Sequence, residues 1–162
     1  MDNQENVQHG PRGRIAPRTG GWCGFGAGDR DVGTRLVTAG PPARELATQL
    51  WHLFDAGRFR DALPLLAEDF EARWPNTRER IRGRDNFIAL NENYPGVWRC
   101  TVRRIEECAG GVVTVTEIGD DRIALFAVSF FSVRDGRIVA AEEYFGDNGP
   151  PPFDRSAWAE RY

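Results

Sequence analysis

The chain has 162 residues, 41% of them hydrophobic and 28% charged, with a net charge of -3. That balance suits one domain with its own core and excludes a nucleic-acid protein, which needs a clustered basic surface to meet phosphate. There is no lysine, there are only two histidines, and the three cysteines lack metal-ligand or redox spacing, so Schiff-base, phosphate-loop, histidine–metal and disulfide chemistries lose their parts.

Residues 1–40 hold nine of the 18 glycines, with Pro11 and Pro17 and no helical or strand periodicity. They read as a flexible extension, and the first foldable element begins only after Pro41-Pro42, as expected if the start site is placed too far upstream. Gly20–Gly28 is rich in glycine but has no following lysine, so it reads as linker rather than a phosphate cradle. No hydrophobic leader and no apolar run of the roughly 20 residues that span a bilayer is present. A cytoplasmic protein with neither membrane nor nucleic-acid partner is expected.

From residue 41 to 162 a single domain is predicted. Pro41-Pro42 suits a helix start, and Leu46, Leu50, Leu53 and Phe54 recur at three- and four-residue spacing until Gly57. His52 lies in this helix and reads as a surface or core-edge residue rather than a base. A short second helix from Asp61 to Ala67 and a strand from Phe70 to Pro75 follow. The charged stretch Asn76–Arg84 reads as a solvated loop, with Glu79 and Arg80 able to rim a pocket beyond Trp74. A third helix carries Phe87, Leu90 and Tyr94 on one stripe with Asn91 beside it, and Pro95-Gly96 ends it.

Trp98–Cys108 alternates apolar and charged residues, Gly110-Gly111 makes a turn, and Val112–Ile118 returns. Arg122–Phe145 then forms a long hairpin around Asp135-Gly136, the strongest short-range hairpin signal a sequence carries. A two-residue turn pairs Ser132 with Val139, Phe130 with Ala141, Val128 with Glu143 and Phe126 with Phe145. Glu143 then stands alone on an apolar face, where a carboxylate must be paired, hydrogen-bonded or protonated. Phe153 and Trp158 are expected to fold back as anchors or to cover a partner subunit. The fold class is α+β, three helices packed on a mainly antiparallel sheet.

This order looks like the cone-shaped fold shared by nuclear transport factor 2, SnoaL-type polyketide cyclases, ketosteroid isomerase and limonene epoxide hydrolase. The resemblance spans Ala43–Tyr162 and is carried by RWPNTRERIRGRDNFIALNENYPG (Arg73–Gly96) and DGRIVAAEEYFGDNGPPP (Asp135–Pro152). It implies a curved sheet wrapped around an apolar pocket that the helices close. EEYFGD resembles the hydrolase segment with a catalytic acid before Tyr-Phe, a place Glu143 fills. The hydrolase also needs an Arg and an Asp two apart on an earlier strand. VTVTEIGDD (Val113–Asp121) offers Glu117 without that Arg.

Two functions are compatible with these residues. One is a cofactor-independent isomerase, cyclase or hydratase in which Glu143 moves a proton on a small hydrophobic molecule, with no metal. Trp74, Asn91, Tyr94, Trp98, Glu117, Val128, Phe130 and Phe145 would line its substrate site. The other is a non-catalytic ligand-binding or dimerisation module in which Arg73 or Arg80 neutralises Glu143. A homodimer is expected in either case, since large apolar sheet faces are rarely left bare.

Overall fold

A computed structural model describes residues 40–120 and 122–162. The expected extension at residues 1–40 lies, but for Gly40, outside the described residues. Helix α1 spans Ala43–Asp55 and buries Leu46, Ala47, Leu50, Trp51, Leu53 and Phe54, the apolar stripe of the sequence with Ala47 and Trp51 added. Burying a leucine such as Leu50 is worth about 1.5–3 kcal/mol. The expected short second helix is present as a proline-bearing 3₁₀ helix over Phe59–Leu65, two residues earlier at each end than Asp61–Ala67, and Pro64 supplies no backbone donor to it.

Strand β1 (Leu66–Trp74) begins four residues earlier than the sequence suggested. The segment read as a loop contains strand β2 (Glu79–Arg82), which folds back on β1 with Arg73 opposite Arg80. Charged alternation hid it: only Ile81 faces the core. Helix α2 covers Arg84–Glu92 and starts from Gly83, with no side-chain cap. Strands β3 (Arg99–Cys108), β4 (Gly111–Gly119), β5 (Ala124–Arg134) and β6 (Arg137–Asp147) complete one six-stranded sheet in the order β2-β1-β6-β5-β4-β3. Among the described strands only β1 and β6 pair in parallel. The α+β cone expected from the sequence is the observed architecture.

The helices cover one face of this sheet, and Phe87 of α2 ties both ends of the core, 5.9 Å from the Phe54 ring and 5.0 Å from Phe70. Asp55, at the end of α1, accepts two hydrogen bonds of 2.8 Å from the Arg99 guanidinium and one of 2.9 Å from the Cys100 amide. That clamp fixes α1 against the start of β3.

The hairpin turn sits at Asp135-Gly136, where both residues take positive φ, 52° and 69°, the mirror-image turn that suits the twist of paired strands. The pairing beyond it corrects the expected register. Val133 faces Ile138, but Ser132 faces Ala140, so Val139 is left over as a bulge on β6. Every later pair shifts by one residue: Glu143 lies opposite Ser129, and Ala141 opposite Phe131. Since side chains alternate along a strand, the inner face of β5 is Ala127, Ser129 and Phe131, all buried, while Phe130 is exposed. The C-terminal segment also differs from expectation. Phe153 and Trp158 are 61% and 83% exposed instead of packing back as anchors. Among the described residues no helix is long and apolar enough to cross a membrane.

Candidate active site

Glu143 projects from the middle of β6 to the inner face and is 4% exposed. Two neutral donors hold its carboxyl. Trp74 donates from Nε1 to Oε2 at 2.8 Å, and Ser129 donates from Oγ to Oε1 at 2.9 Å. Both follow from topology: Ser129 is its cross-strand partner on β5, and Trp74 ends the parallel neighbour β1, where Arg73 pairs with Glu142. Burial pushes the Glu143 carboxyl above its usual range, and the Trp74 and Ser129 hydrogen bonds pull it back only in part.

A cavity of about 420 Å³ opens beside this carboxyl. Trp74, the donor to Oε2, lines it, and Ser129, the donor to Oε1, does not. Of the residues singled out in the sequence, Trp74, Asn91, Tyr94, Trp98 and Phe145 join Glu143 around it. Glu117, Val128 and Phe130 do not. On β4 the inward positions are Val112, Thr114, Thr116 and Ile118, so Glu117 points outward and pairs with Arg103 Nε at 2.8 Å. Val128 and Phe130 went to the wrong side with the missed bulge.

Phe54, Phe87 and Leu90, expected only as the buried stripes of their helices, also line the cavity, as do Trp51 and Phe59, which the sequence did not single out. Periodicity cannot separate the two uses of an apolar face. Trp51 is held in place by donating its indole N–H to Thr114 Oγ1 at 3.0 Å.

The mouth is built from two loops. Asn76 donates to the Phe145 carbonyl at 3.1 Å and accepts from the Phe145 amide at 3.0 Å, locking the β1–β2 turn to β6. Thr77 and Glu79 of that turn reach the rim, and the Thr77 hydroxyl donates to the Glu79 carboxylate. Opposite, Tyr94 packs edge-on against Trp98 at 5.9 Å, and Trp98 Nε1 donates to the Pro95 carbonyl at 2.8 Å. Gly96 takes a φ of 105° there, and a Cβ on it would meet Trp98 Nε1 at 3.0 Å. Asn91 spends one N–H on the Phe87 carbonyl at 2.8 Å, and its second N–H and its side-chain oxygen have no partner among the described residues.

The arginines expected to neutralise Glu143 are elsewhere. Arg73 and Arg80 approach Glu71, at 2.8 and 3.6 Å, on the outer side of β1. Cys100 lines the cavity, but burial pushes its thiol up to about 12, with Asp55 adding to the effect, so it is no nucleophile at neutral pH. No group of three His, Cys, Asp or Glu side chains stands together among the described residues.

Comparison with known proteins agrees with this fold. The SnoaL-like domain family matches residues 47–141. The chain belongs to that family. Among solved structures, a protein from Kribbella flavida named as a candidate ketosteroid isomerase is 28% identical, with a TM-score of 0.67 over 74% of this chain and 89% of its own. An NTF-2 like protein of unknown function from Burkholderia xenovorans is 30% identical, with a TM-score of 0.65 over 74% and 94%. An LEH-like epoxide hydrolase from M. tuberculosis shares the fold at 20% identity and a TM-score of 0.56, over 64% and 82%. No curated protein matches the chain.

Proposed function

We propose that this SnoaL-like protein is a cofactor-independent enzyme of the isomerase, cyclase or hydratase type, in which Glu143 shuttles a proton on a small hydrophobic substrate. The observation that carries this reading is the buried Glu143 carboxyl beside an apolar cavity, held by Trp74 and Ser129 and, among the described residues, by no cation. A carboxyl so placed has a raised proton affinity, which brings it closer to the range where it both takes and returns a proton.

The two donors divide the work. Trp74 has only a donor, so Oε2 stays an acceptor with a lone pair left for a substrate proton. Ser129 can donate to the carboxylate and accept from the carboxylic acid, so it follows either state. In an isomerisation the proton leaves one substrate carbon for Glu143, the C–H electron pair moves into the substrate's π system, and the same proton returns at another carbon. Asn91 and Tyr94, three residues apart on one side of α2 and its exit, supply amide and hydroxyl groups for the substrate's polar end.

The Kribbella flavida relative lends support to the isomerase form. The epoxide hydrolase form has less, because Glu117, the residue in the place of the missing Arg–Asp pair, points away from the cavity. The test is a panel of terpenoid, steroid and polyketide-like ligands on wild type and Glu143→Gln. Ligands bound by both and converted only by wild type establish the enzyme. Unchanged handling by the variant leaves a binding module.

A homodimer is proposed as well, through the outer face of the sheet. Phe130 and Tyr144 stand 41% and 38% exposed there, their rings 6.2 Å apart. Val113 and Val128 flank them in the ladder, an apolar centre of the kind two copies cover for each other.

A further inference from the structure

Among the described residues, the charged side chains that line the cavity have one sign. Its ionisable wall groups are Glu143 and Glu79, with Tyr94 and Cys100 as weak acids. None of the 16 arginines from residue 41 onward, nor His52, lines it. Acidic ligands therefore meet a carboxyl and nothing to neutralise them. Of its 17 lining residues eight are aromatic: four Phe, three Trp and Tyr94. Aromatic faces carry partial negative charge and attract cations, most strongly once water is excluded.

We infer that the cavity is selective for amines: its ligand is an apolar body carrying a protonated nitrogen that pairs with Glu143 Oε2 among the aromatic rings. This rests on the reading of the cavity as a ligand site. The geometry suits the pairing. Trp74 and Ser129 already take one lone pair on each oxygen, so the carboxyl is aimed and partly satisfied before the ligand arrives. Among the described residues it lacks a counter-charge: of the elements that line the cavity, β1 offers Trp74, β5 offers Ser129 to the carboxyl itself, α1 offers Trp51, α2 offers Asn91, and β2 offers the acidic Glu79. An ammonium group completes the pair, and the rings shield it. Carboxylate and phosphate ligands are rejected by the same walls.

A second consequence concerns protons. Burial favours the protonated form of Glu143 in the empty cavity, while an ammonium favours the carboxylate. Binding of an amine therefore expels a proton, and its affinity rises with pH until the empty-cavity Glu143 is ionised. An alcohol gains nothing from that rise.

The experiment uses three probes with one apolar body: naphthylethylamine, naphthylethanol and naphthylpropanoate, titrated calorimetrically into the full chain between pH 5 and 8. The expected result is that the amine binds about ten-fold or more tighter than the alcohol, as desolvated charge pairs do, that the propanoate does not bind, and that amine affinity rises with pH. Glu143→Gln brings the amine down to the alcohol and lets the propanoate in. Should that variant fail to fold, the pH dependence on wild type decides alone. Equal binding of amine and alcohol to wild type, or an amine affinity that is flat or falls with pH, overturns the selectivity and leaves the cavity a ligand site. Binding of none of the three overturns both.

Discussion

Trp74 and Glu143 meet at 2.8 Å although 69 residues separate them, because β1 and β6 lie side by side as a parallel pair. Trp74→Phe keeps an aromatic ring beside Phe145, which Trp74 meets edge-on at 5.5 Å, and removes the N–H donor together with part of the ring volume. We expect the Glu143 carboxyl to move further up, so that any activity needing the carboxylate shifts to higher pH. The lost bond to a buried acceptor costs about 1–3 kcal/mol. A pH–rate profile and a denaturant melt of the variant check the two effects, and an unshifted profile would mean that Trp74 does not tune the acid.

Replacing the carboxyl itself gives a signed pH effect. The native state raises Glu143, so it binds this proton more tightly than the unfolded chain does. The resulting stability is fully present below the unfolded value near 4.5 and is lost as pH rises through the native one. Glu143→Gln removes that dependence. Thermal melts should show the variant gaining on wild type from about pH 5 upward until Glu143 is ionised in the native state. A difference that stays constant with pH would place the carboxyl outside any perturbing environment.

The clamp at Asp55 has the opposite sign. Hydrogen bonds from Arg99 and from the Cys100 amide hold its carboxyl below the usual range, so the stability it adds is present above 3.8 and is lost as pH falls through the native value. Asp55→Ala leaves the half-buried Cys100 amide without its partner, a loss of about 1–2 kcal/mol at neutral pH. Denaturation midpoints should converge with wild type in acid; a gap that persists there would argue for lost packing.

Oligomeric state responds to the outer face. Phe130→Arg puts a charge at the centre of the proposed contact while leaving the inner face intact. Sedimentation of wild type as a dimer and of the variant as a monomer, with similar melting of the isolated subunits, is the expected outcome. A wild type that sediments as a monomer would remove the proposal.

Much of this was readable from residue order. Hydrophobic spacing marked α1 and α2, Gly110-Gly111 and Asp135-Gly136 marked the turns, and an acid on an apolar strand pointed to Glu143. What escaped has a common cause: apolar residues occupy both faces of β5. Phe126, Val128 and Phe130 compete with Ala127 and Phe131 for the inside, and alternation alone cannot rank them. β2 was hidden because its exposed side and edge are arginine and glutamate, as edge strands often are. The donors to Glu143 escaped because Ser129 and Trp74 reach it only through tertiary pairing.

Val139 is the residue the ladder leaves over. Counted as a gene would count it, it is an insertion the sheet has absorbed. With Val139 deleted, Ser132 would still meet Ala140 and Ser129 would still meet Glu143, because the pairing already runs as though it were absent. What such a deletion would remove is the extra local twist that a bulge adds. A gain or loss of one codon at this point thus adjusts the curvature of the wall while the acid keeps its partner, a length change to which this site is indifferent.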